Sequence, residues 1–192
     1  MKSALKAVFF FIFALLALPF TLLYFLLCVI MNKSDALASL SQSLSLVPGK
    51  FGVYLRSGFY RFTLESYAVN AVVGFGTLFS QQQISIASGV YIGPQGNIGM
   101  CNIERDCLLG SAVHIMSGAK QHNFDDPNTP LRDQGGEFTK VTIGENTWVG
   151  NGALIMADIG KNCVVAAGSV VTKPVADGCI VGGNPAKVLK TR

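Results

Sequence analysis

Histidine is scarce in this sequence, with two in 192 residues, His114 and His122, eight apart. So sparse a pair argues against a metal site, which draws three or four ligands from one neighbourhood. Eleven acidic residues stand against 15 lysines and arginines, and the formal charge of +4 does not call for a nucleic-acid partner. A basic surface beside an anionic membrane leaflet accounts for it at least as well. The five cysteines, at 28, 101, 107, 163 and 179, are odd in number and lack paired spacing. They read as reduced core residues, consistent with cytosol, and not as a disulfide framework. Tryptophan occurs once, at position 148.

Charge is missing altogether from Ala7 to Met31, AVFFFIFALLALPFTLLYFLLCVIM. A helix of that length, at ~1.5 Å rise per residue, exceeds the ~30 Å hydrocarbon core of a bilayer, so a membrane helix is expected within 1–33. MKSALK and Ala36-Leu37-Ala38 have the look of a secretory signal's two ends, but a signal's apolar core runs only roughly 7 to 15 residues. Retention is expected. Pro19 sits near the middle, which leaves open both a kinked single span and a re-entrant hairpin. Lys2 and Lys6 precede the segment, whereas Lys33, Lys50, Arg56 and Arg61 follow it. That excess favours an inner-membrane protein with its C-terminal domain on the cytoplasmic side.

Residues 34–66 read as two amphipathic helices. Ser34 and Asp35 are candidate caps for the first, which carries Leu37, Leu40, Leu44 and Val47 and ends at Pro48-Gly49. The second, Lys50 to Phe62, sets Phe51, Tyr54, Leu55, Phe59 and Phe62 at helical spacing with Lys50, Arg56 and Arg61 elsewhere on the wheel. Such a helix either lies in a membrane interface or packs on the domain that follows.

From about Tyr67 to residue 180 a different period takes over. Aliphatic residues return every six positions at Ile86, Ile92 and Ile98, then Ile103, Leu109 and Ile115, then Ile143, Val149 and Ile155, then Ile159, Val165 and Val171. In nine of the twelve hexads a small residue stands four places after the aliphatic: Val90, Gly96, Cys107, Val113, Ala119, Thr147, Ala153, Cys163 and Ser169. Hexapeptide periodicity is the mark of a parallel β-helix, in which short strands bury their faces only by stacking coil on coil. Four groups of three hexads predict four triangular turns. The repeat stops over 119–141 for a long polar excursion, the kind of departure from a solenoid where binding or chemistry usually sits. Residues 181–192 read as a cap on the last coil.

The segments GGEFTKVTIGENTWVGNGALIM, VVAAGSVVTKPV and GGNPAKV carry a resemblance to the hexapeptide-repeat acyltransferases, close to the maltose and galactoside acetyltransferases. The loop QHNFDDPNTPLRDQGG is similar to relatives that O-acetylate bacterial surface polysaccharides. The resemblance covers residues 84–192. It implies a left-handed parallel β-helix, a homotrimer with sites between subunits, and acetyl-coenzyme A as acyl donor. It also carries a general-base role onto His122, and an imidazole, titrating near pH ~6.5, can take a proton from an attacking hydroxyl at cytosolic pH. His114, at a coil corner, reads as surface packing. The carbonic anhydrases that share this β-helix use three histidines on zinc, two from one subunit and one from its neighbour, so the count alone does not exclude them, but the spacing and the C-terminal motifs do not support them.

The same resemblance makes Glu137 the acidic residue that orients the histidine or holds the acceptor; otherwise it is a solvated carboxylate. It brings Trp148 to the flank of the pantetheine channel, Asn151 and Ala167 to backbone contact with the pantetheine arm, and Thr172, Lys173 and Lys187 to the nucleotide end and its phosphates. Asp125 and Asp126 are candidates for the acceptor's hydroxyls, although an Asp-Asp-Pro run also builds turns. The expectation is an acetyl-coenzyme-A-dependent O-acetyltransferase acting on a membrane-associated or lipid-linked saccharide, without a metal. The alternatives are an amino-sugar N-acetyltransferase and a non-catalytic trimeric scaffold.

Overall fold

In a computed structural model, which describes residues 2–192 with side chains from Val8 onward, two layers of helix lie under a triangular prism of parallel strands. The side chains of Lys2 and Lys6, invoked above for orientation, lie outside the described residues.

Three sheets form the prism's walls. Sheet A stacks β1 (Ser66–Tyr67), β4 (Ile84–Ile86), β7 (Cys101–Ile103) and β10 (Val141–Ile143), and continues as single bridges through Ile159 and Val175. Sheet B stacks β2 (Val72–Val73), β5 (Tyr91–Ile92), β8 (Leu108–Leu109), β11 (Trp148–Val149), β13 (Val164–Val165) and β15 (Cys179–Gly182), closed by the antiparallel β16 (Lys187–Thr191). Sheet C stacks β3 (Leu78–Phe79), β6 (Asn97–Ile98), β9 (His114–Ile115), β12 (Leu154–Ile155) and β14 (Val170–Val171).

There are thus six coils, not four. The first runs through Tyr67, Val73 and Phe79, where aromatic and valine residues hide the hexad, and the last closes on Val175 and Val181. In the expected frame every strand-end aliphatic from Ile86 to Val171 is buried. Ala119, expected to point inward, is exposed, because the third coil ends at Ser117 and the chain departs there.

Hydroxyls among the inward residues tie coil to coil. Thr147 Oγ1 donates to Gly160 O at 2.8 Å and accepts from Cys163 N at 3.1 Å. Thr77 does the same with Gly93 O and Gly96 N. The corners need left-handed backbone, which explains their composition: Asp106, Asn146 and Asn162 share one column at φ 59, 55 and 56°. Asp and Asn are the non-glycine residues that tolerate this region best.

The helical base starts with α1 (Lys2–Leu16) and α2 (Leu18–Leu27). Pro19 stands in the first turn of α2, where its missing N–H is tolerated but its ring prevents continuation from α1. The pair is bent by 48° there. The apolar run is bent near Pro19, a geometry common to both a kinked span and a re-entrant hairpin: among the described residues no single helix is long and apolar enough to cross a membrane, and the bent pair together meets that length and composition.

Helix α3 (Lys33–Ser45) is capped by Asn32, whose side chain accepts from Asp35 N, just ahead of the Ser34–Asp35 cap expected. It buries Leu37, Leu40 and Leu44. Helix α4 (Gly49–Thr63) buries Leu55, Phe59 and Tyr60 against the first coil and leaves Phe51 and Phe62 exposed. Tyr60 and Phe79 stack edge to face at 4.6 Å. Of the two expected environments, the structure shows the packing on the first coil.

Arg56 departs most from the sequence reading. It is fully buried, not part of a basic surface. Its guanidinium donates to Val73 O at 3.2 and 3.1 Å, Leu44 O at 3.0 Å and Val47 O at 2.8 Å. It thereby satisfies the C-terminal carbonyls of α3 and joins them to the first coil. Desolvation lowers its pKa from the usual arginine value. Buried side chains form one continuous core from Phe13 through the helices to Val181, so the base and prism share an interior.

Candidate active site

The excursion leaves sheet C after β9 and re-enters sheet A at β10, so it projects from the edge between those sheets at the third coil. Its arms lie against each other: Thr139 N donates to Ser117 O at 3.0 Å, Glu137 N to Lys120 O at 2.8 Å, and Asn123 N to Gly135 O at 2.9 Å. Gly136 permits this approach, since a Cβ there would collide with the backbone of Gln121 and His122. Further out, Gln134 Nε2 donates to the carbonyls of Asp126 (2.8 Å) and Thr129 (2.7 Å), and Asn123 Nδ2 to Gln134 O (3.1 Å). A polar loop with no core of its own is held in one shape by these bonds. The sequence reading missed Gln134 and Gly136, for which the paired glycines 135 and 136 were the available signal.

His122 stands on the first arm with an exposed imidazole that has no hydrogen-bond partner among the described residues. It opens on a cleft of about 350 Å³ shared with Ala119, Lys120, Asn123, Phe124 and Asp125. Phe124 is 78% exposed, a flat apolar surface beside a proton acceptor. Glu137 lies exposed on the facing arm, so the two expected catalytic residues are brought onto one hairpin. Asp125 lines both this cleft and an adjoining polar hollow of about 480 Å³. Asp126 is spent on the turn: its Oδ2 accepts from Thr129 Oγ1 at 2.6 Å and its Oδ1 from Asn128 N at 2.9 Å. Those bonds, the Thr129 hydroxyl first, hold its carboxyl below the ordinary aspartate range. Of the two aspartates only Asp125 has a carboxylate not committed to the loop.

The residues expected for the donor sit elsewhere. Trp148 projects from sheet B, 52% exposed. Asn151 and Ala167 stack on the edge between sheets B and C, where Gly168 N donates to Asn151 O at 2.8 Å and Asn151 Oδ1 accepts from Ser111 N at 2.9 Å. The exposed Ala167 amide has no acceptor among the described residues, which suits it to a carbonyl of a pantetheine arm. Thr172 and Lys173 follow β14 on the A/C edge, two coils above the excursion, and Lys187 opens β16; all three are exposed. Within one chain the face of sheet C separates His122 from the Asn151–Ala167 edge, so the structure does not bring the two groups together. His114 sits on the outer face of β9, in register with Asn97 and Leu154.

Three cysteines of the prism are buried thiols that burial keeps protonated. Burial pushes the Cys101 thiol up to about 12 and the Cys107 thiol to about 11, and raises Cys163 as well. Among the described residues no group of three or more His, Cys, Asp and Glu is arranged to hold a metal ion.

With this geometry in hand, the family model described as the hexapeptide repeat of succinyl-transferase matches residues 140–173. No curated protein matches the sequence significantly. Among solved structures, a maltose O-acetyltransferase from Clostridium difficile 630 is 23% identical with a TM-score of 0.71, over 84% of this chain and 89% of that one. A hexapeptide-repeat-containing acetyltransferase from Vibrio cholerae is 20% identical with a TM-score of 0.69, over 84% and 93%. A galactoside acetyltransferase in complex with coenzyme A is 21% identical with a TM-score of 0.66, over 84% and 83%. At such identities the likeness is one of fold: this chain has the β-helix of these acetyltransferases with its helices placed at the N-terminus.

Proposed function

We propose that the protein is an acetyl-coenzyme-A-dependent O-acetyltransferase whose acceptor is a membrane-associated or lipid-linked saccharide. The observation that carries this reading is the unpartnered imidazole of His122, held on a braced polar hairpin at one edge of a prism that shares its fold with sugar acetyltransferases. His122 takes the proton of an acceptor hydroxyl as that oxygen attacks the thioester carbonyl; the carbon–sulfur bond breaks and the coenzyme A thiolate leaves. No enzyme nucleophile is needed, which agrees with the buried, protonated thiols. Glu137, on the facing arm, orients the imidazole or an acceptor hydroxyl, and Asp125 with Phe124 receives the sugar.

Assembly as a homotrimer follows from the same reading. In a closed ring of three prisms the A/C edge of one subunit meets a different edge of the next. His122 of one subunit then joins Trp148, Asn151 and Ala167 of its neighbour, while Thr172, Lys173 and Lys187 offer hydroxyl and ammonium groups to the phosphates of the donor. The charge-free run from Ala7 to Met31 and its basic margin support membrane association on the cytoplasmic side, where the donor is made.

Purified protein incubated with acetyl-coenzyme A and lipid-linked oligosaccharides is expected to add one acetyl group on oxygen, read by mass spectrometry. His122→Ala is expected to lower the rate about 10²- to 10⁴-fold with an unchanged melting temperature. Full transfer by the variant would remove His122 as the base, and acetyl on nitrogen would make the enzyme an amino-sugar N-acetyltransferase.

A further inference from the structure

The helices α1 and α2 turn a wide apolar surface outward. Phe11 (61%), Leu22 (60%), Leu26 (66%) and Ile30 (77%) are exposed on a stretch that carries no charge from Ala7 to Asn32. An apolar patch of this extent marks an interaction surface. Its margin is basic and aromatic: Lys33, Lys50 and Arg61 are exposed, with Phe51 and Phe62 beside them and the Arg61 guanidinium 5.1 Å over the Phe62 ring. Asp35 is the acidic residue next to that margin. Apolar face and cationic rim together match an anionic lipid surface.

The opposite face of the same helices decides the topology. In the first half of the apolar run, Phe13 and Ala14 lie so close to α4 that a Cβ on Gly58 would strike the Phe13 carbonyl. Phe13 also packs on Phe51 and Tyr54, and Tyr24 of α2 meets Phe59. Phe10 shares a small crevice with Asn70, Ala71 and Val72 of the first coil. Helix α4 is in turn bonded to that coil through Arg56 to Val73 O and Ser57 Oγ to Val69 O at 3.0 Å. For the bent pair to cross ~30 Å of hydrocarbon, α4, the buried guanidinium and the polar corners of the first coil would have to enter the bilayer with it, where no water could solvate those groups.

Resting on the membrane association proposed above, we infer that Val8 to Met31 lie in one leaflet as a bent wedge, so that the chain enters and leaves the membrane from the same side. The wedge's outer face replaces acyl-chain and headgroup volume; its inner face stays on α4. The prism then stands on its first coil. One layer of helix, about 10 Å thick, and two coil steps of about 4.8 Å set the excursion about 20 Å above the wedge. A lipid-linked acceptor must carry its reacting hydroxyl at least that far from the leaflet, which selects an oligosaccharide lipid over a bare headgroup.

The test uses the full chain with one epitope ahead of Met1 and another after Arg192, in right-side-out and inverted membrane vesicles. Protease added outside is expected to remove both epitopes in one orientation and neither in the other. Purified protein is expected to float with vesicles of phosphatidylcholine and phosphatidylglycerol. The triple variant Phe11→Asp, Leu22→Asp, Leu26→Asp should lose at least tenfold of the floated fraction while keeping its circular dichroism and melting temperature. Epitopes on opposite sides, or an N-terminal epitope cleaved off in the cell, would overturn the wedge, as would flotation unaffected by the triple variant. A wild-type chain that does not float, but forms a soluble oligomer broken by those substitutions, would overturn both the wedge and the membrane association. Transfer to a soluble oligosaccharide measures the acetyltransferase reading separately.

Discussion

In the prism Ile86, Ile92 and Ile98 are sealed inside a coil and Thr147 inside another, whereas in α1 and α2 Phe11, Leu22 and Leu26 face outward. Both regions are apolar in composition; they differ in what closes them. Each coil of the prism is covered by the one above, with amides, carbonyls and inward hydroxyls bonded from level to level. The helical base has such a cover on one side only, the side of α4 and the first coil. A repeat carries its own solvent-excluding neighbour, and a helix pair must find one elsewhere.

The contact between the two regions is where the contrast is easiest to break. Arg56→Ala leaves the carbonyls of Val47 and Val73 without their side-chain donor and that of Leu44 with backbone N–H donors alone. At roughly 1–3 kcal/mol for each buried group left unpaired, offset by relief of a desolvated charge, a net loss of about 3 kcal/mol is expected. Hydrogen exchange should quicken in α3 and α4 while the upper coils keep their protection. Equal acceleration throughout would mean that base and prism unfold as one.

A smaller effect sharpens the prism's side of the comparison. Thr147→Val keeps the shape but removes the bridge to Gly160 O and Cys163 N, for an expected cost of about 2 kcal/mol in urea melts. Exchange should rise in the fourth and fifth coils and not in α4.

The smallest concerns a surface tie. Lys140 Nζ bonds both Glu65 oxygens, at 2.8 and 2.9 Å, joining the returning arm of the excursion to the end of the helical base. That hydrogen bond, ahead of opposing desolvation, holds the Glu65 carboxyl below its ordinary range. The pair is solvent-screened, so Lys140→Ala should cost well under about 1 kcal/mol at pH 7. Because the folded-state pKa of Glu65 is depressed, the contribution is present above its unfolded pKa and is lost as pH falls through the folded value. The difference between wild type and variant should therefore close on acidification through the folded-state pKa of Glu65; a gap that widened on acidification would contradict the pairing.

How far the sequence could be read follows the same line. The middle hexads were legible because one inward aliphatic per strand is a local requirement; the first coil was not, because Tyr67, Val73 and Phe79 meet α4 and α3 and break the pattern. In the site, His122 and Glu137 were legible as polar residues in a gap of the repeat, and the resemblance supplied their roles. The bracing by Gln134 and Gly136 was not, since it joins residues far apart in the excursion. Asp126 was legible both as an acceptor ligand and as a turn residue, and its carboxylate is bonded within the turn.

By itself the sequence determined the period of six, the polar gap, the left-handed corners that ask for Asn, Asp and Gly, and a charge-free run from Ala7 to Met31 interrupted by Pro19; each depends on neighbours a few residues away. Tertiary structure alone decided that Arg56 is an internal clamp and not a surface charge, that the apolar run folds onto α4 with its far side bare, and that His122 and Ala167 stand on different edges of one prism. Those outcomes depend on which surfaces meet across tens of residues, and no local spacing encodes that.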